Sequence, residues 1–94
     1  MPYEVRVAKK ADAELSDLTK SGNRNLTQRI FDGLDRLAED PKTPRSGADI
    51  LQLEAVDPKV WRLRVGQYRI LYSIDEKRKI VNVTMILHRK KAYR

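Results

Sequence analysis

Val60-Trp61-Arg62-Leu63-Arg64-Val65-Gly66-Gln67-Tyr68-Arg69-Ile70-Leu71-Tyr72 encodes two strands and the turn between them, and the rest of the domain is built around it. Trp61, Leu63 and Val65 alternate with Arg62 and Arg64, the two-residue period of a strand with one wet and one buried face. Gly66-Gln67 interrupts the alternation with glycine first, the signature of a type II′ hairpin turn. Tyr68, Ile70, Tyr72 and Ile74 then share one face of a second strand, with Arg69, Leu71 and Ser73 on the other. A lone hairpin is marginal in water, so the remaining chain must supply a cover for its apolar face.

Working outward, Asp75 to Lys79 is a charged turn. Ile80 to Leu87 is apolar on both faces, which predicts a last, central strand. Upstream, Ile50-Leu51-Gln52-Leu53 is a short extended or turn segment after a polar loop from Lys42 to Asp49. Leu26, Ile30, Leu34 and Leu37 fall on one helical stripe that ends at Pro41 and Pro44, and Ala11, Leu15 and Leu18 mark a shorter helix from about Lys10 to Lys20. Ser21-Gly22-Asn23 punctuates the two, with Gly22 as a C-cap and Asn23 or Asn25 as an N-cap. Tyr3 to Val7 alternates and predicts a first strand. The expectation is one α+β domain over residues 1–94: an N-terminal strand, then a helical hairpin packed on one face of a twisted antiparallel sheet, in the order β-α-α-β-β-β.

Composition narrows the chemistry. The 94 residues are 40% hydrophobic and 35% charged, which suits one thin core under a heavily charged surface. There is no cysteine and one histidine, His88, so disulfides, thiolate catalysis and Cys- or His-rich metal sites are excluded. No cofactor or metal is expected. No window holds the roughly 18 apolar residues of a membrane span, and the start lacks a signal pattern. A cytoplasmic protein with no membrane partner is therefore expected.

The net charge of +7 is unevenly placed. Residues 1–58 carry nine Lys/Arg against eleven Asp/Glu, whereas residues 59–94 carry eleven Lys/Arg against Asp75 and Glu76. All the excess positive charge lies in the last third, which points to a polyanionic partner: nucleic acid, an acidic protein segment, or both.

Arg62 and Arg64 leave one strand face about 7 Å apart, close to the spacing of successive phosphates. Arg69, just past the turn, can lie beside them. Like charges side by side destabilise a sheet, so a fold that gathers three has reason to bind an anion. The same pattern also fits an ordinary polar face salt-bridged by Glu54, Asp57 or Asp75. The tail His88-Arg89-Lys90-Lys91-Ala92-Tyr93-Arg94 adds a second constellation. His88 has an ordinary pKa near neutrality, Arg89 follows it directly, and the Tyr93 ring offers a surface for an unstacked base.

The hairpin run from Val60 to Tyr72, the tail from His88 to Arg94 and the opening Tyr3-Glu4-Val5 together resemble the RelE branch of the RelE/ParE toxin superfamily. The resemblance implies a RelE-like fold and a type II toxin encoded with an acidic, RelB-like antitoxin, as a heterodimer or heterotetramer. It further implies a metal-independent endoribonuclease that cuts messenger RNA in the ribosomal A site and so inhibits translation. In that chemistry the substrate 2′-hydroxyl attacks the adjacent phosphate and leaves a 2′,3′-cyclic phosphate. Arg69 then matches the phosphate-stabilising arginine, Arg89 the arginine serving the leaving group, and Tyr93 the tyrosine that orients the substrate. Arg62 and Arg64 stand where relatives carry lysines, one proposed as general base. Arginine is a poor base, so these two read as phosphate clamps, together with Lys90 and Lys91 in the tail. His88 becomes the candidate proton acceptor, although strand alternation sets His88 and Arg89 on opposite faces. The alternative within the superfamily is a ParE-like toxin that inhibits DNA gyrase without catalysis.

Overall fold

Elements form where the apolar periods place them. The computed structural model describes residues 2–53 and 59–88. Its elements are β1 (Glu4–Val7), α1 (Lys9–Lys20), α2 (Arg24–Glu39), β2 (Asp49–Leu53), β3 (Val60–Val65), β4 (Tyr68–Asp75) and β5 (Ile80–His88). Arg89, Lys90, Lys91 and Tyr93 of the tail, and Glu54 and Asp57 of the loop, lie outside the described residues.

Local chemistry sets the boundaries. Gly22 follows α1 at a φ of 84°, the left-handed conformation that glycine adopts at no steric cost. The Asn23 side chain then accepts a hydrogen bond from the Leu26 N–H at 3.1 Å and caps α2. At the hairpin, Gly66 has a φ of 57°, and Lys79 is the one non-glycine among the described residues with positive φ. Gln67 therefore keeps a negative φ, as a type II′ turn requires.

The five strands form one sheet in the order β1-β5-β4-β3-β2. Strands β3, β4 and β5 pair antiparallel, as expected, and β2 joins them antiparallel to β3, but β1 lies parallel to β5 and makes the sheet mixed. β1 gives β5 a partner on its second edge, so the last strand is internal to the sheet, in keeping with its apolar residues on both faces. The extended segment at 50–53 is a full edge strand, paired with β3 from Asp49 against Arg64 to Leu53 against Val60.

The two helices cover one side of this sheet. Ala11, Leu15 and Leu18 of α1 and Ile30, Leu34 and Leu37 of α2 bury themselves against Leu63, Val65, Ile70, Tyr72, Val81, Val83 and Ile86. Tyr72 is fully buried, and its hydroxyl donates to the Pro41 carbonyl at 2.6 Å, which pins the end of α2 to the sheet. Burial pushes the Tyr72 phenol well above its ordinary value, so it stays a neutral donor. Replacing Tyr72 by Phe leaves that carbonyl unpaired and should cost roughly 1–3 kcal/mol, read as a lower midpoint in urea unfolding. An unchanged midpoint would mean that the bond contributes nothing.

One irregularity reorients the end of the sheet. The β4–β5 register shifts between Leu71 and Tyr72: Leu71 opposes Met85 while Tyr72 opposes Val83. Thr84 is the extra residue of the bulge, and its hydroxyl donates to the Leu71 carbonyl at 3.2 Å. Val81 and Val83 face the helices before the bulge, and Ile86 and His88 do so after it.

Candidate functional site

The sheet face away from the helices carries the arginines. Two cross-strand rows organise it. In the first, Asp49, Arg64, Arg69 and Leu87 stand side by side on β2, β3, β4 and β5; in the second, Leu51, Arg62, Leu71 and Met85 do. Arg64 and Arg69 are direct partners across the hairpin, and Arg62 is diagonal to Arg69. The three arginines expected to share a face therefore do. Arg69 is 9% exposed and is the buried charged side chain of the described residues, so its guanidinium has little room to move.

Asp49 supplies the carboxylate. Its Oδ1 accepts from Arg62 Nη2 at 3.2 Å, and its Oδ2 lies 3.6 Å from Arg64 Nε. Sequence reading looked for such a partner in Glu54, Asp57 or Asp75. Asp75 instead pairs with Arg78, and Glu54 and Asp57 lie outside the described residues. The signal for Asp49 was present: once 50–53 is read as a strand beside β3, Asp49 falls opposite Arg64. The Asp49 and Arg64 side chains are both more than half exposed, so this pair is weak and an incoming anion can displace it. The Arg62 Nε atom is buried and has no hydrogen-bond partner among the described residues. A buried guanidinium donor left unpaired is costly, so Arg62 is held in place at some expense.

His88 is elsewhere. It pairs with Tyr68 across β4 and β5, and the two rings meet edge to face at 5.0 Å between centroids. Tyr68 is on the helix side of the sheet with its partner Val65. His88 lines a cavity there with Asn23, Asn25, Leu26, Arg29, Gly66 and Gln67. The structure thus brings Arg62, Arg64 and Arg69 together and sets the His88 ring on the opposite face. The strand carrying His88 passes directly beside the arginines, since Leu87 is the cross-strand neighbour of Arg69.

Among the described residues no three His, Cys, Asp or Glu side chains come together as metal ligands, and no helix is long and apolar enough to cross a membrane. At the far end of the sheet, Glu76 accepts from Lys42 Nζ at 2.6 Å and from the Tyr3 hydroxyl at 2.8 Å. These two bonds hold its carboxyl below the usual range. That cluster ties β1 to the β4–β5 turn and stands apart from the arginine face.

Known proteins share this architecture. Residues 5–93 match the family described as ParE toxin of type II toxin-antitoxin system, parDE. Among solved structures, the archaeal RelE–RelB complex of Pyrococcus horikoshii OT3 contains a chain 28% identical, with a TM-score of 0.77 over 95% of this chain and 97% of that one. The RelBE2 toxin–antitoxin complex of Mycobacterium tuberculosis is 24% identical, with a TM-score of 0.69 over 95% and 100%. The RelB–RelE antitoxin–toxin complex of Methanococcus jannaschii is 22% identical, with a TM-score of 0.70 over 93% of each chain. No curated protein sequence is significantly similar. The family match over nearly the whole chain, with a fold shared with RelE proteins, shows that this chain belongs to the ParE toxin family of type II toxin–antitoxin systems, within the RelE/ParE superfamily.

Proposed function

We propose that this toxin is an endoribonuclease that cuts messenger RNA in the ribosomal A site and so arrests translation. The observation that carries the reading is the arginine face itself: Arg64 set directly against Arg69, with Arg62 beside them and a carboxylate between two of the three. The 2′-hydroxyl oxygen attacks the adjacent phosphorus, its proton passes to a base, and the bond to the 5′-oxygen breaks. The products are a 2′,3′-cyclic phosphate and a 5′-hydroxyl that takes its proton from water. Charge builds on the non-bridging oxygens during this step, where fixed guanidinium donors stabilise it most. Arg69 takes that role, with Arg62 and Arg64 clamping the strand. Arg89 supports the leaving oxygen, Tyr93 stacks the flanking base, and Lys90 and Lys91 hold neighbouring phosphates. All the chemistry is metal-independent in this reading.

Among the described residues Asp49 is the carboxylate that shares a face with the arginines, and in this reading it takes the 2′-hydroxyl proton in preference to His88. Replacing Asp49 by Asn should lower cleavage by about 10²-fold or more, whereas replacing His88 by Ala should leave it within a few-fold. The reverse pattern, in gel assays of cut message, would return the role to His88.

The antitoxin expected for such a toxin is an acidic, RelB-like segment that folds as it binds and covers the arginine face, in a heterodimer or heterotetramer. A second reading, a ParE-like inhibitor of DNA gyrase, is favoured by the family match over residues 5–93. Primer extension on a translated message, with and without ribosomes, separates the two. Cuts that require the ribosome support the nuclease; inhibited supercoiling with an intact message supports the gyrase poison.

A further inference from the structure

The end of the sheet at the hairpin turn opens into a second cavity, of about 350 Å³, between α2 and the β2–β3 pair. Arg29, Arg36 and Arg64 line it around a floor of Gly33, Ala48 and Val65. Arg29 and Arg36 are seven residues apart on α2, two turns along one flank and about 10 Å in rise.

Each of these guanidiniums rests against a glycine with positive φ. At Gly66 (φ 57°) a β-carbon would come within 3.4 Å of Arg29 Nη1, and at Gly47 (φ 83°) within 3.4 Å of Arg36 Nε. The absence of a β-carbon at these turns leaves room for the two arginines close to the backbone. Arg45 lines the same cavity, but its guanidinium is engaged by the carbonyls of Arg36, Asp40 and Thr43. Asp32 and Asp49 are the carboxylates that line this cavity. Asp32 accepts from Gln28 on the helix surface, Asp49 bridges the arginine face, and the exposed Arg36–Glu39 contact at 3.6 Å contributes little.

Arg64 belongs to both places: it stands beside Arg69 on the sheet face and lines this cavity. A polyanion lying on the arginine face and leaving past Arg64 would turn round the end of the sheet into the cavity. An acidic peptide could meet the same charges, but continuity with the face that would hold the cut phosphate favours the substrate strand.

We propose that Arg29 and Arg36, with Arg64 shared, form a second phosphodiester subsite that holds the RNA strand on one side of the scissile position. The subsite rests on the nuclease reading above. Its test is equilibrium binding of 2′-O-methyl oligoribonucleotides, which cannot be cut, to the full chain across a salt series. For a long oligonucleotide the Arg29→Gln/Arg36→Gln double variant should bind more weakly, with a salt slope smaller by roughly 1.4, as expected for two lost phosphate contacts on a single strand. A trinucleotide, which fills the arginine face alone, should bind as it does to the unmodified protein. Asp32→Asn, which removes a negative charge from the cavity and leaves the arginines in place, should tighten the long oligonucleotide a few-fold. Unchanged affinity in both variants, with Arg69→Ala still weakening binding, overturns the subsite alone. Absence of RNA binding by the unmodified protein overturns the nuclease reading and the subsite with it.

Discussion

Replacing Arg69 by Ala is expected to abolish growth arrest and to lower message cleavage by about 10²–10³-fold, while the protein still folds and still binds its antitoxin. The expectation rests on where the side chain is held. Arg69 lies on β4, which is hydrogen-bonded on one side to β3 and on the other to β5, with Arg64 and Leu87 as its direct neighbours. At 9% exposure the side chain is largely buried before substrate arrives, and preorganised donors need little reorganisation as charge develops on the phosphate. The fold should tolerate the change because the side chain lies on the face opposite the helical core. Arg69→Lys keeps the charge but loses the planar fork, so its activity should fall between the two. Arg89→Ala, in the tail, should also abolish arrest. The readouts are colony formation after induction and primer extension on a translated message. An Arg69→Ala protein that cuts as well as the parent would remove Arg69 from the chemistry.

The hairpin was legible because its first strand alternates charge with carbon and its second keeps Tyr68, Ile70 and Tyr72 on one face with Arg69 on the other. In such strands a period of two fixes every side chain once the turn is located. Gly66-Gln67 located it, and Arg62, Arg64 and Arg69 then had one face to share. The last strand was legible only as a strand. Val81-Asn82-Val83-Thr84-Met85-Ile86-Leu87 carries apolar residues at both parities, so nothing in the pattern marks where the register slips. The bulge at Thr84 decides the outcome, because it places Ile86 and His88 on the helix side and Leu87 beside Arg69. The part played by Asp49 was hidden for a different reason. Ile50 to Leu53 is too short and too weakly alternating to be distinguished from a turn, and its strand character comes from pairing with β3, a tertiary effect. The parallel β1–β5 pair was equally out of reach, since it joins segments from opposite ends of the chain and leaves no local trace.

Replacing Gly33 by Leu is expected to destabilise the fold by about 3 kcal/mol, a fall in melting temperature of roughly 12–24 °C for a domain of this size. Gly33 is the point at which α2 sits on β3. A β-carbon there would lie 2.9 Å from Leu63 Cδ2 and 3.4 Å from Val65 Cγ2. Leu63 is itself fully buried, so its methyl cannot swing into solvent to make room. Alanine is the informative control, because two effects of similar size oppose each other. Gly→Ala within a helix gains about 1 kcal/mol of propensity, and a single methyl pressed against Leu63 costs about 1 kcal/mol or more. Gly33→Ala should therefore be near neutral, while leucine adds volume with little further propensity gain and must lift the helix. The lift has a consequence beyond stability. Leu63 and Val65 alternate with Arg62 and Arg64 on the same strand, and α2 carries Arg29 and Arg36. A displaced α2 would alter how the arginine face and the cavity at the hairpin end meet at Arg64. Calorimetry of the two variants should show the alanine protein melting close to the parent and the leucine protein far below it. A leucine variant that melts with the parent would mean that α2 does not press on β3 at this point and that the seating described for the helix is wrong.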